Sequence, residues 1–320
     1  MEPASTTSSA VQDPPRRDSL PGRRRRHIAI WSTAAALGVV GVVLFAPRST
    51  SFPPLPSPNG YDKLIEAAAK ISPLPGSLRD LAPARLAEYV EGNKQALDEL
   101  RRRLGLPSAV PIEVGEEWYI RQSLNMINQK QAALALAAEA TLRQRQGDYI
   151  GALQECLDLI KFSRATSRGG LNTHFMSGMA CEAVAFQVLG LFMDKLDPKE
   201  LRRTLPQLDE LDGERESWRE AARRDREWAG KSYPVSLRFV MWFDSVRPHS
   251  GPTSDEKLEA RYLKQLADYR RFMLRLAART FALERGRDPK TVEELVPGFL
   301  HQLPVDPATG RPFTLPADAK

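Results

Sequence analysis

The sequence predicts an all-α protein in which one N-terminal transmembrane helix precedes a multi-helix extracytoplasmic domain. Residues 28–46 carry no charged side chain, and a helix of about 20 apolar residues crosses a bilayer core. Beyond this run, apolar residues recur at steps of three and four, which is the helical period. No long run alternates apolar and polar residues with β-branched side chains, as a half-buried strand would.

The residues in front of the apolar run set its orientation. Arg23–Arg26 and His27 directly precede it, and Lys and Arg stay on the cytoplasmic side of a membrane. We therefore expect a single-pass signal anchor in the inner (cytoplasmic) membrane, with the N-terminus inside and the main domain outside. A cleaved signal peptide is the alternative, although cleavable apolar regions run about 7–15 residues and the bulky Leu44 suits a cut after Ala46 poorly.

Composition divides the chain into five parts. The first part is rich in Ser, Thr, Pro and Arg with few apolar residues, a composition typical of disorder. The part after the anchor is rich in proline and predicts a semi-rigid spacer. In order, we expect a disordered basic cytoplasmic tail at 1–26, the transmembrane helix at 27–46, a linker at 47–60, a helical domain at 61–286 and a Pro-rich C-terminal segment at 287–320.

The predicted anchor has a stripe of small residues. Ala34, Gly38 and Gly41 lie on one side of the helix, and small residues let two transmembrane helices pack closely. The lipid bilayer is thus the first expected partner, and this stripe indicates self-association through the anchor. The alternative is that small residues are simply common in such helices.

The charge pattern argues against a nucleic-acid partner. The net charge is +6, but the arginine block at 23–26 is explained by membrane orientation. Elsewhere arginines alternate with acids, as in residues 224–227, which is typical of a solvated helix face. The chain has no Cys-x-x-Cys or His-Glu-x-x-His spacing, so we expect no zinc site and no cofactor.

The spacing of apolar residues and the positions of helix-breaking residues predict the helices of the domain. Gly and Pro mark most of the expected ends, and a Pro-rich end closes the chain. A polar helical region is expected from Pro198 to about Gly230, interrupted near Pro206 and Gly213. The other expected helices are 61–71, 83–104, 116–146, 149–165, 171–193 and 254–285. The helix at 116–146 has one apolar face, formed by Ile120, Leu124, Ile127, Leu134, Ala138 and Leu142.

One helix pair resembles a known repeat. Residues 136–159 contain a helix, the turn Gly147-Asp148, and a second helix, with the small Ala140 and Ala152 placed for close approach. This segment resembles one tetratricopeptide unit, which implies two closely packed antiparallel helices. An ordinary αα-hairpin with the same turn is the alternative.

The C-terminal segment resembles a second family. Residues 281–313 contain Gly-Arg-Asp-Pro, Leu-Val-Pro, Leu-Pro-Val-Asp-Pro and Gly-Arg-Pro-Phe in that order. This order is similar to the C-termini of type II secretion pseudopilins and of many bacterial membrane-anchored proteins. The resemblance implies an accessory role in a secretion or pilus-like system, with Asp306 as a candidate metal ligand. The alternative for Asp306 is a turn in which its side chain caps backbone N–H groups.

Acidic residues inside apolar helix faces are the catalytic candidates. Glu139 and Glu182 lie in such surroundings, and His174 comes two turns before Glu182. A carboxyl in an apolar setting has a raised pKa and can act as a general acid. The alternative is a structural ion pair between the buried Glu and Arg164 or Arg168.

The two cysteines lie at equal distances from a helix–helix turn. Cys156 and Cys181 are both equally far from the centre of the turn between Arg168 and Gly169. An oxidising compartment permits a disulfide between them. Two buried free thiols are the alternative.

Together these patterns predict a non-enzymatic protein. We expect a membrane-anchored, outward-facing helical scaffold or interaction protein of the bacterial envelope, with a protein partner there. The alternatives are a cell-wall-active or other hydrolase that uses a buried Glu, and an accessory component of a secretion or pilus-like system.

Overall fold

The structure is a computed structural model of the chain. All of the residues that it describes belong to one compact unit, Thr50–Lys320. Described are residues 52–234, 236–238, 240 and 253–315. The predicted cytoplasmic tail and the predicted anchor, with its small-residue stripe, lie outside these residues. Within them, no helix is both long enough and apolar enough to cross a bilayer.

The described residues form helices and no strand beyond an isolated antiparallel bridge between Val305 and Pro312. The all-α prediction for the domain is therefore confirmed. Two short 3-10 helices lie at Met193–Lys195 and Val292–Leu295. The α-helices are α1 (Gly60–Ala68), α2 (Pro83–Arg103), α3 (Glu116–Arg145), α4 (Tyr149–Ala165), α5 (Asn172–Leu189), α6 (Pro198–Gly213), α7 (Trp218–Ser232) and α8 (Ser254–Arg285).

Local capping explains why several helices begin and end where they do. The Asp197 side chain accepts a hydrogen bond from the Glu200 N–H at 2.8 Å, ahead of Pro198. At α8, Thr253 and Glu256 form a reciprocal capping box, which satisfies two N–H groups that the helix leaves open. Gly286 ends α8 with φ of 69°, a left-handed conformation that costs glycine little.

One expected interruption is wrong. Helix α6 continues through Pro206, which lies exposed on its outer side. Proline removes one helical hydrogen bond, but Leu205 and Leu208 on the opposite side are buried in the main core. Packing of that face against α8 keeps the helix continuous.

The core lies between α3, α4 and α5, with α2 packed on α3 and α6 packed on α8. The second half of α3 is rich in alanine, and six of its alanines are buried together with leucines of the neighbouring helices: Ala132, Ala133, Ala135, Ala137, Ala138 and Ala140. Helices α4 and α5 approach closely at Gly178, where an added Cβ would lie 2.9 Å from the Ser163 carbonyl oxygen of α4. Small residues therefore set the spacing of the central helices.

The predicted αα-hairpin is present at α3–α4. Gly147 has φ of 82° in the turn, and Asp148 caps α4 by accepting from the Gly151 N–H at 2.9 Å. Ala140 and Ala152 are fully buried. The resemblance of this pair to a tetratricopeptide unit stays a prediction.

The C-terminal segment packs onto the helical core. Leu295, Phe299 and Leu300 are buried there, and the Phe299 ring lies 5.5 Å from the Phe281 ring of α8. The described part of this segment thus belongs to the same compact unit as the helices.

Candidate functional site

Glu182 on α5 lies in a closed clamp of two arginines. Its side chain is 3% exposed. The Arg215 guanidinium donates to both carboxylate oxygens, at 2.9 and 3.0 Å, and Arg164 Nη2 donates at 2.8 Å. Asp212 in turn contacts the Arg215 Nε at 3.4 Å and accepts from the Arg270 Nε at 2.9 Å. The result is a buried ion-pair network that joins α4, α5, α6 and α8.

This clamp keeps Glu182 ionised. Burial alone would raise the pKa of the Glu182 carboxyl, but the charges of Arg215 and Arg164 outweigh it and lower that pKa. The raised pKa expected for a general acid is therefore wrong at this position, because two guanidinium groups stabilise the anion. The structure has the alternative arrangement, an ion pair with Arg164, whereas Arg168 pairs with Glu214 at 3.0 Å.

The space beside Glu182 is small. A cavity of ≈ 40 Å³ borders Arg164, Arg215 and Glu182, which leaves room for only a few water molecules. Small-molecule sites usually measure about 300–1,000 Å³. No substrate-sized cleft in the described residues reaches this carboxylate.

Glu139 belongs to a second buried cluster, between α2, α3 and α4. Arg101 donates to Glu139 and, at 2.7 Å, to Glu155 Oε2. Arg143 donates to Glu139 Oε1 at 2.9 Å and contacts Glu155 Oε1 at 3.5 Å. Two arginines and two glutamates thus share one site, and Asp148 extends it through Arg143 at 3.0 Å.

Sequence reasoning missed Glu155, the most perturbed acid of this cluster. Burial and then the neighbouring Glu139 charge raise its pKa to about 7, against the opposing effect of Arg101. The spacing carried a signal, since Glu155 lies three residues after Ala152 and four before Leu159, both fully buried. The adjacent Gln154 is polar and exposed, which made this part of α4 look like a solvated helix face.

His174 is fully buried and lies apart from Glu182. Its Nε2 is 3.2 Å from Gln122 Oε1, which also accepts a hydrogen bond from the Tyr61 hydroxyl at 2.7 Å. The Trp118 ring lies 5.8 Å from the imidazole. Burial lowers the pKa of His174 to about 4, so the ring is neutral near pH 7. The structure gives His174 and Glu182 different partners and forms no catalytic pair from them.

Cys156 and Cys181 are buried free thiols. The structure has no disulfide between them, so of the two possibilities it has the two separate thiols. Each sulfur lies among apolar core residues, and burial raises the pKa of Cys181 to about 12. These thiols are therefore poor nucleophiles at neutral pH.

Asp306 organises a turn. Its Oδ1 accepts from the backbone N–H groups of Ala308 at 2.8 Å and Thr309 at 3.3 Å, and Oδ2 lies 3.6 Å from the Arg271 Nη2. The capping alternative is what the structure shows. Among the described residues, no three His, Cys, Asp or Glu side chains are grouped to hold a metal ion.

A groove between α5 and α8 is large enough for a ligand, at ≈ 550 Å³. Its floor is apolar, with Met176, Ala183 and Phe272 among its residues. Within the part of the chain that the structure describes, Asp268 is the only carboxylate that lines it. That carboxylate forms exposed ion pairs with Lys264 at 2.7 Å and Arg271 at 3.2 Å.

A His–Asp pair lies at another recess, of ≈ 700 Å³, beside α6. His301 Nδ1 is 2.6 Å from Asp209 Oδ2 on the exposed rim. Among the described residues that line this recess there is no serine, threonine or cysteine. The pair therefore has no adjacent nucleophile of the kind that a hydrolase triad requires.

The first half of α3 exposes apolar residues, which we call the α3 stripe: Ile120, Leu124 and Ile127. These side chains are 56%, 59% and 56% exposed. Sequence reasoning placed them on the same face as Ala138, which is buried. Further along this face, Leu134 and Leu142 are half-buried, whereas the stripe has no element packed over it among the described residues.

The opposite side of α3 explains this exposure. Trp118, Gln122 and Gln129 are buried there. Gln129 donates to the Thr166 carbonyl at 3.4 Å and accepts from the Ser177 hydroxyl at 3.2 Å. Because the domain satisfies these amides internally, the helix is rotated with its polar side inward and its aliphatic side outward.

Comparison with known proteins gives no relative for this arrangement. No protein-family model matches the chain, and neither curated proteins nor solved structures include a significant match. The arguments for function therefore come from the geometry of the chain itself.

Proposed function

We propose that this chain is a membrane-anchored, outward-facing interaction module of the bacterial envelope, and that the α3 stripe is its docking surface. The observation that supports this most directly is the exposure of Ile120, Leu124 and Ile127 on consecutive turns of one helix. Contiguous exposed apolar residues mark interaction sites more often than scattered ones do. Because Gln122 and Gln129 are buried on the opposite side of α3, the stripe faces solvent.

The buried clusters support a non-enzymatic reading over the hydrolase alternative. Glu182 is ionised and enclosed, and Glu139 shares two arginines with Glu155. Buried ion pairs of this kind hold helices together and are costly to break. The other alternative, an accessory component of a secretion or pilus-like system, differs in which protein docks on the α3 stripe. The photo-crosslinking experiment described below also tests it.

The orientation of the anchor is tested by a reporter fusion. A reporter that is active only outside the cytoplasm, fused after Lys320, is expected to be active, because Arg23–Arg26 stay inside. Replacing these four arginines with neutral residues is expected to reduce that activity. A fusion that is active only in the cytoplasm would reverse the proposed topology.

The docking surface is tested by photo-crosslinking of the full chain in cells. A photoreactive amino acid at Leu124 is expected to give a defined adduct, because the partner covers this side chain. The control is the same amino acid at Ile150, which is 57% exposed and lies on α4. Absence of an adduct at Leu124, or equal adducts at both positions, would contradict the proposal.

A further inference from the structure

We infer that the partner of the α3 stripe is a second copy of this chain, with the two α3 helices antiparallel about a two-fold axis. This inference rests on the proposed function, since it identifies what docks on the stripe. Ile120, Leu124 and Ile127 follow each other at steps of four and three, which is the repeat of a helix–helix seam. Such a seam is self-complementary when a second identical helix packs against it.

Charges beside the seam select the antiparallel arrangement. Glu116 and Lys130 are exposed and have no ion-pair partner among the described residues. They are two heptads apart and therefore lie along the same flank of the seam. In an antiparallel pair, Glu116 of each copy meets Lys130 of the other, which forms two ion pairs.

A parallel pair lacks this complementarity. Glu117 comes seven residues before Leu124, so it continues the seam toward the start of α3. A parallel second copy would place the two Glu117 carboxylates opposite each other, where like charges repel. Antiparallel helices also oppose their macrodipoles, which is the favourable arrangement.

The expected association is weak in solution. Only three aliphatic residues per copy form the seam, and interfaces below about 1,200 Å² are typical of transient contacts. Confinement of both copies to one membrane would raise their effective concentration. Crosslinking of the full chain in membranes is therefore the suitable measurement.

Ser123 provides the test position, because it lies midway between Glu116 and Lys130. On the antiparallel axis it meets its own counterpart, so the full-length variant Ser123→Cys is expected to form a disulfide-linked dimer in oxidised membrane vesicles. The native Cys156 and Cys181 are buried and leave a low background. The matched control is Ile150→Cys, which is exposed but outside the stripe.

Charge reversal supplies a second readout. In the Ser123→Cys background, Lys130→Glu or Glu116→Lys alone is expected to reduce dimer yield about fivefold, the combined effect of two exposed ion pairs. The two reversals together are expected to restore the yield. Both side chains are exposed, so an unchanged thermal unfolding midpoint confirms that the variants fold.

Three results would overturn the inference: equal yields for Ser123→Cys and Ile150→Cys, no response to single charge reversal, or no recovery in the double reversal. If Leu124 photo-crosslinks to a different protein while Ser123→Cys gives no dimer, the self-pairing is refuted and the interaction module stands. If neither experiment gives an adduct, both proposals fail.

Discussion

Replacing Glu182 with glutamine is expected to lower the free energy of unfolding by about 3–5 kcal/mol, because it leaves the buried Arg164 guanidinium without its carboxylate and Arg215 with Asp212 alone. Arg164 and Arg215 have side chains only 12% and 10% exposed, so bulk water solvates these charges far less than it would at the surface. Denaturant unfolding, followed by circular dichroism, measures the change.

Glu214→Gln is the matched control for that substitution. Glu214 also pairs with an arginine, Arg168, at 3.0 Å, but both side chains are about half exposed. Exposed pairs contribute about 0–1 kcal/mol, so this variant is expected to stay close to the wild type. A loss below 1 kcal/mol for Glu182→Gln would show that the clamp is not a structural element.

The second large effect is a pH dependence carried by Glu155. Its pKa is about 7 in the folded protein, against 4.5 for an unperturbed glutamate. Between these pH values the folded state holds more protons than the unfolded state, so the free energy of unfolding falls as pH rises. Glu155→Gln removes this titration and is expected to gain about 3 kcal/mol relative to wild type between pH 4.5 and 8.

His174 acts in the opposite direction. Its pKa falls from 6.5 to about 4 on folding. Between these two pH values the unfolded state holds more protons than the folded state, so the free energy of unfolding decreases as pH falls. His174→Gln is expected to remove that acid sensitivity. In the pH range where both groups titrate, their effects on the free energy of unfolding offset each other. The Glu155→Gln variant therefore shows the pH dependence due to His174, and the His174→Gln variant shows that due to Glu155. Parallel pH profiles for both variants, measured by chemical denaturation, would contradict this assignment.

Helix positions were largely predictable because their signals are local. Asp197-Pro198 and Gly286 start and stop helices through contacts within one turn. The course of α6 through Pro206 was not predictable in this way, because packing against α8, more than fifty residues later, decides it.

The candidate site shows the same division between local and long-range information. The pairing of Glu182 with Arg164 was among the alternatives, since the two residues lie on consecutive helices. Arg215 and Arg101 come from distant parts of the chain, so the sequence carried no sign that they complete the two clusters. For the α3 stripe, periodicity identified the apolar face but could not show that Gln122 and Gln129 would turn the opposite face inward.

The contact between Trp118 and His174 makes the fluorescence of Trp118 sensitive to the protonation of the His174 imidazole. The two rings lie 5.8 Å apart, and a protonated imidazole quenches indole emission at such range. The Trp228 ring lies 5.7 Å from the Trp118 ring, so excitation can pass between the two indoles. The share of the native emission that comes from Trp118, one of five tryptophans in the chain, therefore reports the charge of a fully buried histidine without any added label.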